Sequence, residues 1–131
     1  MPLIAGIVLP FAIGAFATLT GLDRDRAFYP VVLIVIALLY VLYAAIGGSP
    51  EALRIDGAIA LAFIVAAVVG FRKSLWIVAA ALVAHGVMDL FHASLVANPG
   101  VPAWWPEFCG PYDVGAAGYL GWLLKAGHRA S

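Results

Sequence analysis

Leu82-Val83-Ala84-His85-Gly86-Val87-Met88-Asp89-Leu90-Phe91-His92 sets two histidines and an aspartate at i, i+4 and i+7 in an otherwise apolar run. At 3.6 residues per turn these three side chains share one face of a helix. The surrounding segment, about residues 75–97, is long enough to cross a hydrocarbon core of about 30 Å. Ionisable groups at membrane depth are costly, so the stripe marks a functional site by default.

Composition supports the membrane reading. Of 131 residues, 65% are hydrophobic and 11% charged, and the mean hydropathy is +1.06. A soluble domain needs about a quarter of its residues charged to cover its surface. The net charge is zero and the basic residues are scattered, which excludes a nucleic-acid footprint. One cysteine rules out an internal disulfide.

Outward from the stripe, the chain reads as one all-α domain of about five transmembrane helices, at residues 3–20, 30–46, 51–71, 75–97 and 111–126. In the first, Gly6, Pro10, Gly14 and Thr18 recur every four residues as a packing ridge. Ala15-Phe16-Ala17 resembles a signal cleavage site, but no Lys or Arg precedes the apolar run, so the segment is read as retained. Asp23, Arg24, Asp25 and Arg26 form a connector read as solvated. Tyr40 and Tyr43 lie near the end of the second helix, where interfacial anchors are expected.

Gly47-Gly48-Ser49-Pro50-Glu51 closes one helix and caps the next. Asn98-Pro99-Gly100 ends the fourth helix, and Trp104 and Trp105 read as an interfacial belt or a lid. Pro111 and Asp113 are expected to begin the fifth helix, with Gly115, Gly118 and Gly121 as a close-packing face. Arg24, Arg26, Arg72, Lys73, Lys125 and Arg129 fall on one side of such a bundle and Arg54 alone on the other. The positive-inside rule then puts the N-terminus outside and the C-terminus in the cytoplasm. The expected location is the cell membrane, as a multi-pass protein of a bacterial inner membrane.

This topology gathers ligand-type residues near the outer end of the fourth helix. Asp89 and His92, with Cys109 and Asp113, are the expected ligands of zinc or another divalent metal, which accepts imidazole, thiolate and carboxylate. Glu51, Asp56 and Glu107 are the candidate supporting groups. His85 lies deeper, about 10.5 Å from His92 along the axis. His85 and Asp89 are the candidate catalytic pair. The expected activity is metal-assisted hydrolysis of an amphipathic or lipid-like substrate within the bilayer. Two other classes fit the same residues. One is a proton- or ion-coupled transporter, which at this size would work as a homo-oligomer. The other is an accessory subunit whose polar stripe only fixes assembly.

His85-Gly86-x-x-Asp89-x-x-His92, followed by Pro102-x-Trp104-Trp105-Pro106-x-Phe108-Cys109 and Asp113, resembles small bacterial and fungal multi-pass membrane proteins grouped as a family of unknown function. The resemblance covers most of the chain and implies no activity. A fainter similarity to alkaline ceramidase-like membrane hydrolases covers the fourth segment alone and lacks their seven-span layout, so it implies no catalytic roles here.

Overall fold

The computed structural model describes residues 1–127, so Arg129 of the charge count lies outside the described residues. Five α-helices follow one another: α1 (Pro2–Thr20), α2 (Phe28–Ile46), α3 (Pro50–Lys73), α4 (Leu75–Leu95) and α5 (Trp105–Lys125). A short 3-10 turn, Leu22–Arg24, precedes α2, and no strand occurs among the described residues. α1 to α4 are each long and apolar enough to cross a membrane. α5 is as long as α4, at 21 residues, but carries Glu107, Asp113, Lys125 and two prolines, and it falls outside that set.

Local chemistry sets the boundaries. Gly21 ends α1 with φ 86°, a left-handed conformation that costs glycine little. Ser49 caps α3 by accepting from the Ala52 N–H at 3.2 Å, with Pro50 and Glu51 in the first turn. Ser74 is both the C-cap of α3 and the N-cap of α4, accepting from Trp76 N–H at 3.2 Å, so this hairpin turns on one residue. α5 begins six residues before the expected Pro111, which lies inside the helix. Trp105-Pro106-Glu107 is itself a good start, since proline tolerates the first turn and the dipole favours an acid there.

α5 packs between α1 and α4, α3 packs against α4 and α2, and α2 also reaches α4. The α1 ridge seats on α5: a Cβ on Gly6 would collide with the Phe108 carbonyl, and one on Gly14 would lie 2.9 Å from the Tyr119 ring. Of the three glycines expected to smooth α5, only Gly115 is in tight contact with another helix, at the Pro10 ring of α1. Gly118 faces open space, and Gly121 has the Trp76 ring as neighbour. The connector differs from the solvated loop expected. Asp23 is buried and accepts from the Thr18 hydroxyl at 2.5 Å, while Arg26 donates to the Phe71 carbonyl at 2.8 Å, tying it to the end of α3.

The core seams follow helical 4-3 spacing. On α4 the buried face is Val78, Leu82, His85, Asp89 and His92. Leu33, Ala37, Tyr40 and Ala44 form that of α2, and Asp56, Ala60 and Ala67 that of α3. Cys109, Asp113, Ala116 and Leu120 form that of α5. The polar stripe therefore lies in the centre of the bundle.

Candidate functional site

α4 and α5 cross where Gly86 meets Gly110. A Cβ on Gly86 would stand 3.0 Å from the Gly110 carbonyl oxygen and 3.2 Å from Asp113 Cβ. The missing side chain lets α5 approach until Asp113 reaches the ring of His85, one residue away from the glycine. His85 Nδ1 and Asp113 Oδ2 are 2.7 Å apart. Asp89 Oδ2, one turn along α4, stands 3.6 Å from the same nitrogen.

His85, Asp89 and Asp113 are each fully buried, and one ligand atom from each lies within 4.8 Å of the others. Tyr40 of α2 donates its hydroxyl to Asp89 Oδ1 at 2.5 Å. The Cys109 thiol, one turn before Asp113, lies 3.7 Å from Asp113 Oδ1. Asp89 Oδ2 and His85 Nε2 are buried without a hydrogen-bond partner. The His85 ring stands edge-to-face against Phe63 of α3, centroids 4.7 Å apart.

The charge count of this cluster is unusual. Two carboxylates face one imidazole, and their remaining partners, Tyr40 and Cys109, carry no positive charge at neutral pH. With both acids ionised, even a protonated His85 would leave one negative charge uncompensated in a medium where unpaired charge costs several kcal/mol. A bound cation, or protons shared between the acids, must supply the balance.

His92 stands apart from this trio. Its Nε2 lies 2.7 Å from Asp56 Oδ1 on α3. Asn98, in the loop after α4, donates to Asp56 Oδ2 at 2.9 Å and to the Tyr40 carbonyl at 3.1 Å. Tyr40 joins the two clusters: its hydroxyl holds Asp89, and its ring stacks on His92 at 3.9 Å between centroids and 20° between planes.

The side chains that the fold brings together thus differ from the set grouped in the sequence expectation. Asp89 and Asp113 do come together, with Cys109 beside them, but His85 fills the place expected of His92. The reason is rotational. Along α4 the His85 side chain faces α5, whereas His92, seven residues on, meets α3. Asp56 moves from the periphery to the partner of His92. Glu51 and Glu107 are exposed and outside the network.

Two contributors lie outside the expected site. Tyr40 is no interfacial anchor: Leu33, Ala37, Tyr40 and Ala44 at 4-3-4 spacing place it on the core seam. Asn98 does more than end a helix, since its side chain joins Asp56 to α2. Of the tryptophans, Trp104 is 48% exposed while Trp105 is 5% exposed and packs against Tyr40 and Tyr43.

A cavity of about 590 Å³ opens beside Tyr40 and His92 under the loop that follows α4, with Asn98, Pro99 and Pro102 in its wall. A second, of about 410 Å³, is an apolar groove between α1, α2 and α5, with Cys109 in its lining. No family model, curated protein or solved structure matches this chain.

Proposed function

We propose that the chain is a five-span membrane protein that holds a divalent cation on His85, Asp89 and Asp113, with Cys109 as the adjacent fourth donor. The observation that carries the reading is the buried trio of one imidazole and two carboxyl groups with a ligand atom from each within 4.8 Å of the others. One nitrogen and two carboxylate oxygens suit zinc or a similar ion. The partnerless Asp89 Oδ2, 3.6 Å from His85 Nδ1, is the atom a cation would satisfy. Tyr40 fixes the rotation of Asp89 by holding its other oxygen, as groups around metal ligands commonly do.

A cation there supplies Lewis acidity, and hydrolysis of an amphipathic, lipid-like substrate is the activity that would use it. The orientation with the N-terminus outside rests on the positive-inside count. The Arg26–Phe71 bond supports it by tying the Arg24/Arg26 and Arg72/Lys73 clusters to one end of the bundle. The larger cavity then lies toward the external face of a bacterial inner membrane, with the trio deeper in the bundle.

Metal analysis of protein purified without chelator tests this. About one equivalent of divalent metal is expected, lost in Asp113→Asn and His85→Ala and retained in His92→Ala. Absence of stoichiometric metal would sink the cation reading and leave shared protons as the balancing charge.

A further inference from the structure

The Asp56–His92 pair takes no part in the trio, yet it is built with more care than a link between two helices requires. The carboxylate of Asp56 is held at both oxygens, by His92 Nε2 at 2.7 Å and by Asn98 Nδ2 at 2.9 Å. If Asp56 accepts at Nε2, the proton sits on that nitrogen and the lone pair is left on Nδ1. The stacked ring of Tyr40 fixes the imidazole plane. His92 lines the cavity of about 590 Å³, and with Nε2 committed to Asp56, Nδ1 is the ring nitrogen left to serve it.

The cavity itself is anchored. Its roof is the loop after α4, in which Asn98 accepts from the Gly100 N–H at 3.2 Å. Gly100 presses on the end of α2 so closely that a Cβ there would collide with the Tyr43 carbonyl. Pro99, Pro102 and Pro106 stiffen the wall. Mostly apolar walls around a few fixed polar groups are how small-molecule sites are made, and the volume is in their usual range of about 300–1,000 Å³.

From this geometry we infer a second site: the cavity binds a small amphipathic molecule, and His92, oriented by Asp56, accepts a hydrogen bond or a proton at Nδ1 from that molecule's hydroxyl, thiol or amide group. The arrangement is carboxylate, imidazole, cavity, in the order of a general-base dyad. It does not depend on a cation at the trio, since no atom of His92 or Asp56 belongs to that group.

Diethyl pyrocarbonate, a small neutral amphipathic electrophile, is the probe. An unprotonated imidazole nitrogen attacks one carbonyl carbon, and the bond to the ethyl carbonate leaving group breaks. The departing ethyl carbonate takes up a proton and decays to ethanol and carbon dioxide. The ring nitrogen keeps the ethoxycarbonyl group and the Nε2 proton passes to Asp56 or solvent. In the full chain in detergent, with sites located by fragmentation mass spectrometry, His92 should react about tenfold faster than His85. Asp56→Asn and the cavity-filling Ala103→Trp should each slow His92 several-fold. Nitrogen NMR of the unsubstituted protein, which needs no variant to fold, should show His92 protonated at Nε2 and bare at Nδ1. Equal reactivity of the two histidines, indifference to both substitutions, or the opposite tautomer would overturn the inference. Metal content reports on the trio separately, so the two failures are distinguishable.

Discussion

Tyr40→Phe is the most informative single perturbation, because it removes one atom from the centre of the site. The ring remains to stack on His92 and to pack against Trp105. What goes is the donor to Asp89 Oδ1 at 2.5 Å, between two buried side chains. Hydrogen bonds between neutral groups in membrane bundles average about 0.6 kcal/mol, because the unfolded chain in the bilayer finds other partners. A bond to a charged acceptor contributes about 1.5–3 kcal/mol. Here Asp89 has no alternative donor at that oxygen, and its other oxygen is already without a partner. The coupling between Tyr40 and Asp89 should therefore fall near the upper value, about 2 kcal/mol. A double-mutant cycle of Tyr40→Phe and Asp89→Asn, measured by reversible unfolding in mixed micelles, isolates that coupling. If a divalent cation occupies the trio, Tyr40→Phe should also weaken its binding about 10- to 100-fold, as loss of a ligand-orienting partner does. A coupling below about 0.5 kcal/mol would mean that Asp89 is protonated or turned away from Tyr40, and the site as drawn would be wrong.

Other perturbations probe the frame. Gly86→Ala should cost about 1–3 kcal/mol through overpacking and lower metal content together with stability, because the new methyl meets the Gly110 carbonyl and Asp113 Cβ; wild-type stability and metal content would refute the helix crossing. Gly100→Ala should leave α4 and α5 paired but detach the roof loop from Tyr43, seen as faster amide exchange across the loop; unchanged exchange would mean that the loop is not docked there. The single cysteine, Cys109, is buried where it lines the apolar groove, so a bulky membrane-impermeant maleimide should leave the native protein unlabelled and react on denaturation in SDS. In a Cys109→Ala background, Gly48→Cys should label from outside the cell and Ser74→Cys only from the cytoplasm; the reverse pattern would invert the proposed topology.

Several features were readable before any tertiary contact was known. The 4-3 stripe of His85, Asp89 and His92 predicts a buried polar seam, because periodicity is a property of the helix alone. Ser49-Pro50-Glu51 and Gly21 mark helix ends through local hydrogen bonds and backbone freedom. The Gly6–Pro10–Gly14 ridge marks a packing face because only small residues admit a neighbouring backbone. The expected start of α5 at Pro111 failed for a reason equally local. Two proline-led starts compete, at Pro106 and Pro111, and nothing within the segment ranks the longer helix above the shorter.

The allocation of partners is a different kind of fact. Asp89 can share an ion with His85 at i−4 or with His92 at i+3, and helix geometry allows both. The choice comes from what lies across the seam: Asp113 arrives opposite His85 through the Gly86–Gly110 crossing, and Asp56 arrives opposite His92 from α3. Asn98 and Tyr40 enter the site only because a loop and a helix distant in sequence close over it. By itself the sequence determined the apolar, all-helical character of the chain and the polar face of α4, since these follow from composition and from a repeat of 3.6 residues. Only the tertiary structure decided which histidine meets which acid, because that depends on the rotation and crossing of neighbouring helices, and no single helix encodes either.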